Sequence, residues 1–284
     1  MATVLDGKGF AVRCKEEIRR EAERLTKLGC QPGLAVVLVG ENPASQVYVR
    51  NKEKDCQECG IYSAMYTLPE ETTEAQLLEL LDVLNHDPKI HGILVQLPVP
   101  RHMDPQKIIE AIDPVKDVDC FHPMNVGYLT QGMPRFAPCT PAGIVRLMEH
   151  YGVDPAGKHC VVIGRSNIVG KPMALLLLQK NGTVTICHSG TADLKEQTLQ
   201  GDILISAVGK TGFVTAGMVK EGAVVIDVAM NRNDQGKLCG DVDYAAVSEK
   251  ASAITPVPGG VGPMTRVMLL ENTLTACKLQ NGLK

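Results

Sequence analysis

Tryptophan is absent from these 284 residues, and all aromatic residues together make up 4% of them. A core with so few rings has to be built from branched aliphatic side chains, the habit of parallel sheets covered on both faces. No apolar run approaches the roughly 20 residues that a membrane span needs. Lys8, Arg13, Lys15 and Glu16 interrupt the N-terminal stretch, so neither a signal peptide nor a membrane partner is expected. A net charge of −3, with no cluster of Lys and Arg interleaved with rings, gives no field for nucleic acid. The ten cysteines are scattered singly, which fits reduced thiols and a cytoplasmic location. Cys56-x-x-Cys59 is the only close pair, and without a second pair or a His pair no metal site is expected. Internal repeats and low-complexity segments are also missing.

What remains is a chain 44% hydrophobic, long enough for one large or two modest domains. Helix and strand patterns alternate along it. Ala11, Cys14, Ile18, Ala22, Leu25 and Leu28 recur at helical spacing, and Gly29 supplies a stop. Leu34 to Val39 reads as a buried strand, and Ser45 is placed to cap a helix running to Cys59. Ile61 to Thr67 is strand-like, Thr73-x-x-Gln76 is a capping box, and Ile93 to Leu97 is a further strand. The order βαβαβ implies a parallel sheet. Residues 113–139 are rich in proline and glycine and read as loop; Thr140-Pro141 then caps a helix. Further strands are expected near 160–163, 183–187, 203–208 and 223–228, and a last helix from about Pro263 to Leu279, packing back on the first domain. The fold class is α/β, with two domains built on parallel sheets.

The stretch Cys160 to Leu178 carries the strongest local signal. A short apolar run meets a loop opened by Gly164 and closed by Gly170, and Lys171-Pro172 leads into a helix. A helix N-terminus leaves backbone N–H groups unpaired and favours negative charge, so this is an anion site. The dinucleotide fingerprint is altered: Ser166 holds the second glycine position and the last glycine is displaced by one. A second strand, Thr183 to Cys187, ends in His188-Ser189-Gly190, where an NAD site would place a carboxylate. The missing carboxylate and the Arg165 guanidinium favour NADP over NAD. The competing reading of Arg165 is a solvated loop residue.

Ligands in open α/β sheets sit outside the carboxyl ends of strands. The loop Pro256 to Thr265, with its three glycines and three prolines, allows close backbone approach to a flat ligand. Tyr48 and Lys52 stand at i and i+4 on one helix. On residues alone, Lys52 beside Glu53 and Asp55 reads as solvated; it would be a base only if burial lowered its pKa. Gln96 is an amide in an otherwise apolar strand and must find partners or cost about 1–3 kcal/mol. Asp117 and Asp119 flank Val118, and simple solvation is open for both.

Taken together, Tyr48-Val-Arg-Asn-Lys52, Val95-Gln-Leu-Pro98, Lys116-Asp-Val-Asp119, Pro138-Cys-Thr-Pro141, Gly164 to Gly170 and Pro256 to Thr265 resemble the bifunctional methylenetetrahydrofolate dehydrogenase/cyclohydrolase family over essentially the whole chain. The resemblance implies a folate-binding domain over 1–122 with a returning helix at 268–284, an NADP-binding Rossmann-type domain over 123–267, a cleft between them, and a homodimer. It implies tetrahydrofolate one-carbon derivatives as substrates and NADP as cofactor. Lys52 would then serve water addition and proton transfer, Tyr48 would stack on the folate, Gln96 would bond the Lys52 amine, and Asp119 would hold the pterin's amino edge. Val95, Leu97, Pro258, Gly259, Gly260 and Gly262 would also contact the folate. Thr140, Gly164, Arg165, Ser166, Ser189 and Met230 would contact the cofactor.

Two positions depart from the family's pattern: Cys120 follows Asp119 where glycine is usual, and Ala229-Met230 replaces Gly-Ile. Altered affinity or stability is expected from them, not lost activity. Among competing readings, a serine hydrolase built on Ser166 lacks the nucleophile-elbow spacing, since Gly170 comes four residues later. Another NADP-dependent small-molecule dehydrogenase of the same architecture is the alternative, and the Tyr48, Lys52 and Gln96 set argues against it. A non-catalytic nucleotide-binding module would have no use for those cleft residues.

Overall fold

The computed structural model describes residues 2–283. The chain opens on a two-residue strand, β1 (Thr3–Val4), and a long helix, α1 (Gly7–Lys27). It divides into two compact units. One consists of Val12–Cys139 and the chain from Arg266; the other of the chain up to Ala11 and Thr140–Thr265. The change-over at Cys139 and Thr140 differs from the expected boundary at 122/123. The reason is local: the segment after 122 is tied to what precedes it, with Asn125 Nδ2 donating to the Asp117 carboxylate at 2.8 Å and to the Pro114 carbonyl at 2.8 Å.

The first unit holds a parallel three-stranded sheet ordered β3-β2-β4: β2 (Gly33–Val39), β3 (Tyr62–Leu68) and β4 (Gly92–Val95). Every residue of β2 is buried, as the central strand of a covered sheet must be. Helix α2 (Pro43–Cys59) links β2 to β3, and α3 (Glu74–His86) links β3 to β4. Leu77, Leu81 and Leu84 of α3 pack on Ala35, Val37 and Ile93 of the sheet. The Thr73/Gln76 capping box is formed in both directions. Helix α2 begins before Ser45: the Asn42 side chain accepts the Ser45 N–H at 3.1 Å, so the cap is Asn42. Leu28 lies past the end of α1 and is exposed, while Gly29 takes φ +88° as the stop.

Two short helices follow, α4 (Pro105–Glu110) and α5 (Pro123–Thr130). The second falls where loop was expected. Pro123 suits the first turn of a helix, and His122 Nδ1 accepts the Met124 N–H at 3.1 Å, so proline starts this helix instead of breaking it.

The second unit carries α6 (Cys139–His150), β5 (His159–Ile163), α7 (Gly170–Gln179), β6 (Thr183–Cys187), α8 (Leu194–Leu199), β7 (Ile203–Ser206), β8 (Val224–Asp227), the hairpin β9 (Asn231–Arg232) and β10 (Leu238–Cys239), α9 (Tyr244–Ser248) and β11 (Ala253–Ile254). Its parallel sheet has the order β1-β11-β8-β7-β5-β6. From β5 the chain steps outward to β6 and then back across to β7, so the order reverses at the β5/β7 junction. Such a switch point opens a crevice at the carboxyl ends of the strands. Thr140 lies inside α6 and does not cap it; its hydroxyl meets that of Thr265 at 3.0 Å.

The last helix, α10 (Val261–Gln280), belongs from Arg266 onward to the first unit. Asn272 Nδ2 donates to the carbonyls of Val118 and Ala137 at 2.8 and 2.9 Å, Lys278 pairs with Glu21 at 2.6 Å, and Gln280 Nε2 donates to the His91 carbonyl at 2.8 Å.

Candidate active site

In the first unit, β4 ends at Val95 and delivers Gln96 to the carboxyl edge of the sheet, its N–H bonded to the Val37 carbonyl at 2.8 Å. Helix α2 starts from the same edge and brings Lys52 over it. Lys52 Nζ donates to Gln96 Oε1 at 3.0 Å, and Gln96 Nε2 donates to the Leu97 carbonyl at 2.7 Å. The solvated reading of Lys52 does not hold. Asp55, expected beside it as a surface carboxylate, is buried and pairs with Lys15 and Arg266. Glu53 is partly buried.

Asp119 reaches this edge because residues 116–118 extend the sheet: the Ile93 N–H bonds the Lys116 carbonyl at 2.8 Å, and Asp117 bridges to Ile93. Burial pushes the Asp119 carboxyl up from its ordinary value, the Lys52 charge opposes that, and Asp117 adds to it. Burial likewise lowers Lys52, against the attraction of Asp119 and, more weakly, of the Cys139 and Cys56 thiols, while Arg266 adds to the lowering. A half-buried amine and a half-buried carboxyl are thus each biased towards neutrality. Tyr48, one turn before Lys52, has its hydroxyl raised by burial.

Asp117 has a different task. Its carboxylate accepts the N–H groups of Phe121 and His122 at 3.2 and 2.9 Å, together with the Asn125 amide, and so shapes the turn after Asp119. Cys120 takes φ +61° in that turn, a conformation in which glycine carries no penalty, and its thiol bonds the Phe136 carbonyl at 3.4 Å. The departure from glycine is therefore accommodated by a buried sulfur contact.

Cys139 belongs to the Pro138 to Pro141 motif but is not among the candidate site residues of the sequence. It is buried within the field of both Lys52 and Asp119, and burial holds its thiol well above the ordinary range. Nothing in its spacing singles it out, because only the fold brings residue 139 to residues 52 and 119. Cys56 and Cys59 are also buried, with thiols pushed up to about 12 and about 11, which makes them inert core sulfurs.

In the second unit, the glycine-bracketed loop sits at the β5/β7 switch point. A Cβ on Gly164 would lie 2.6 Å from the Ala207 carbonyl oxygen, and one on Gly170 would lie 2.1 Å from the Gly164 oxygen. Both glycines are required by close backbone approach, the geometry of a phosphate cradle. Ser166 Oγ accepts the N–H groups of Val169 and Gly170 at 3.1 and 3.3 Å, which makes it a loop-building oxygen and not a nucleophile. Arg165 and Ser189 are exposed at the ends of the adjacent strands β5 and β6. Met230 is exposed just beyond β8. Beside it Asp241 accepts from Ser206, Val208, Gly209, Lys210 and Asn231, clamping the 206–210 loop at the same edge. The residues fit a dinucleotide: a side-chain-free cradle, a helix N-terminus, and a guanidinium with no carboxylate beside it.

Of the stretch Pro256 to Thr265 that follows β11, only Pro256 to Gly260 is loop; Val261 to Thr265, expected as loop, form the start of α10, where Pro263 sits harmlessly in the first turn. Gly259 takes φ +114°, its carbonyl accepts the Lys8 N–H at 2.8 Å, and a Cβ on Gly7 would lie 1.8 Å from the Gly260 oxygen. The structure thus gathers Lys52, Gln96 and Asp119, with Tyr48 on the same helix as Lys52, in the first unit. Thr140, Gly164, Arg165, Ser166, Ser189, Met230 and Pro258 to Gly262 lie in the second.

Comparison with known proteins decides the family. Residues 5–119 match the tetrahydrofolate dehydrogenase/cyclohydrolase catalytic domain, and residues 138–281 match the NAD(P)-binding domain of the same family. The chain belongs to the tetrahydrofolate dehydrogenase/cyclohydrolase family. The bifunctional protein FolD of Paracidovorax citrulli is 60% identical over 281 residues, spanning 99% of this chain and 99% of the relative. Among solved structures, the bifunctional FolD methylenetetrahydrofolate dehydrogenase/cyclohydrolase of Campylobacter jejuni superposes with a TM-score of 0.97 at 51% identity, covering 99% of this chain and 100% of that one. The Trypanosoma brucei dehydrogenase-cyclohydrolase, solved with NADP and an inhibitor, gives 0.94 at 39% identity, covering 99% of this chain and 98% of that one.

Proposed function

We infer that this chain is a bifunctional folate enzyme. It oxidises 5,10-methylenetetrahydrofolate to the 5,10-methenyl form with NADP and hydrolyses that product to 10-formyltetrahydrofolate. The observation that carries the reading is the Lys52–Gln96 hydrogen bond at 3.0 Å, set beside Asp119 in a chain of this family.

NADP, which the Gly164 to Gly170 loop and Arg165 would hold, would supply the acceptor for a hydride leaving the one-carbon bridge, and the folate would then be the methenyl cation. Water then adds to that carbon, a proton departs, and the bond to N5 opens to give the 10-formyl product. Lys52 is assigned the proton: burial shifts its amine towards the neutral form, which can accept one from the attacking water. Gln96 holds that amine through its amide oxygen. Asp119 is assigned the pterin's amino edge, and Tyr48, Val95 and Leu97 the pterin's surroundings. The backbone of Pro258, Gly259, Gly260 and Gly262 is assigned to the folate as well.

On the cofactor side, Gly164 and Gly170 clear the backbone for phosphate, Arg165 and Ser189 replace the carboxylate of an NAD site, and Thr140, Ser166 and Met230 complete the surroundings. Folate binding is thereby assigned to the first unit and NADP binding to the second. The reading includes a homodimer and a cytoplasmic location; the latter is supported by ten free cysteines. Absorbance spectroscopy with methylenetetrahydrofolate and either NADP or NAD tests substrate, cofactor and second step together. Formation of the methenyl product followed by its decay, with NADP preferred, is the expected result; no change in absorbance with either cofactor contradicts it.

A further inference from the structure

Asp55 stands three residues beyond Lys52 on α2 and is 2% exposed. Two cations hold it. Lys15 of α1 pairs with one oxygen and also with Glu58 at 2.7 Å. Arg266 of α10 reaches the other oxygen at 2.6 Å and lies 3.4 Å from the carbonyl of Asn51, the residue before Lys52. One cation would suffice to neutralise a buried carboxylate. The second is what needs explaining, since Arg266 is itself mostly buried, at 23% side-chain exposure. Its effect is to plant a fixed positive charge on the turn of α2 that carries Tyr48 and Lys52.

We propose that Arg266, anchored by Asp55 and reaching the Asn51 carbonyl, is a positioning residue for Lys52: it locks the Lys52 turn of α2 to α10 and sets a like charge on the amine's own turn. The proposal rests on the assignment of Lys52 to water chemistry. The groups that act on Lys52 are Gln96, Asp119, Cys139, Cys56 and Arg266, and among them only Arg266 brings a like charge. Its influence on the amine runs in the same direction as burial. Two like charges on one turn repel, and a buried carboxylate behind one of them keeps that one in place.

The test follows hydrolysis of supplied methenyltetrahydrofolate against pH, alongside NADP-dependent dehydrogenation, in the full-length chain. Arg266→Met should move the acidic limb of the hydrolysis profile upward by a few tenths of a pH unit and lower the rate at pH 7 about twofold. The dehydrogenase profile should stay in place. Arg266→Lys, which restores a charge, should return the limb towards the wild-type position. Asp55→Ala/Arg266→Val removes the ion pair together and leaves Lys15 with Glu58, so the two losses oppose each other at Lys52 and the limb should move less than in Arg266→Met.

An unmoved limb in Arg266→Met, or a limb that moves as far in the double variant as in Arg266→Met, overturns the proposal, and so does a parallel fall in both activities with unmoved profiles. Lys52→Met separates the two layers of the argument. If it still hydrolyses normally, the assignment of Lys52 fails and the proposal falls with it. If it is inactive while the Arg266 variants keep the wild-type limb, only the proposal falls.

Discussion

Gln96 turns its amide oxygen, not its nitrogen, to the Lys52 amine, because the nitrogen is already bonded to the Leu97 carbonyl at 2.7 Å. The amide is therefore a fixed neutral acceptor. It orients the amine without supplying a negative charge that would hold a proton on it. Gln96→Glu keeps the shape and adds the charge, so Lys52 should stay protonated to higher pH. Hydrolysis at neutral pH is expected to fall about ten- to a hundredfold and to recover partly as pH rises, read from the pH profile of the cyclohydrolase step. A profile that coincides with wild type would show that the amide does not act on the amine.

Asp119 lies where folate is assigned and its neighbour Asp117 builds the turn, so the two carboxylates should respond differently to removal. Asp119→Ala should raise the folate KM about tenfold or more, the worth of a charge-assisted hydrogen bond, or abolish activity. NADP affinity, measured by fluorescence titration, should not change. Asp117→Ala should instead lower the melting temperature, because the Phe121 and His122 N–H groups lose their acceptor.

Cofactor choice should reside at Arg165. Replacing it with serine removes the guanidinium that is assigned to the 2′-phosphate. The ratio of kcat/KM for NADP over NAD should drop by roughly ten- to a hundredfold, about 1.5–3 kcal/mol. An unchanged ratio would mark Arg165 as a solvated loop residue.

Much of the fold is legible in the sequence where local pattern and tertiary demand agree. The apolar runs Leu34 to Val39 and Cys160 to Ile163 are buried strands, and the Thr73/Gln76 box is a helix start. The failures have physical causes. Pro123 reads as a breaker but opens α5, since proline is harmless in a first turn. Thr3 and Val4 are exposed and too short to signal a strand, yet they pair with Ala253 and Ile254. In the candidate site, Tyr48 and Lys52 share a helix and can be associated by spacing. The burial of Lys52, and the arrival of Cys139 and Arg266 beside it, depend on chain segments far apart in sequence. No local pattern encodes those meetings.

Asp227 gives a prediction about stability. Burial pushes its carboxyl up to about 6 from 3.8, despite the N–H groups of Asp241, Val242 and Ala229 that it accepts. The folded state binds that proton more tightly than the unfolded one. Below about pH 4 the group is protonated in both states and costs nothing. As pH rises through about 6 the folded protein must ionise it, and about 3 kcal/mol of stability is lost. The difference in unfolding free energy between wild type and Asp227→Asn, from urea titrations at pH 4.5 and pH 7.5, should shift against wild type at the higher pH. A difference independent of pH would contradict the assigned direction.

Lys52→Met tests the central claim most directly, because methionine fills the space of the side chain and removes only the amine. Supplied with methylenetetrahydrofolate and NADP, or with methenyltetrahydrofolate itself, this variant should leave the methenyl absorbance undiminished and make no 10-formyl product beyond the uncatalysed rate. Decay of that absorbance at the wild-type rate would contradict the account.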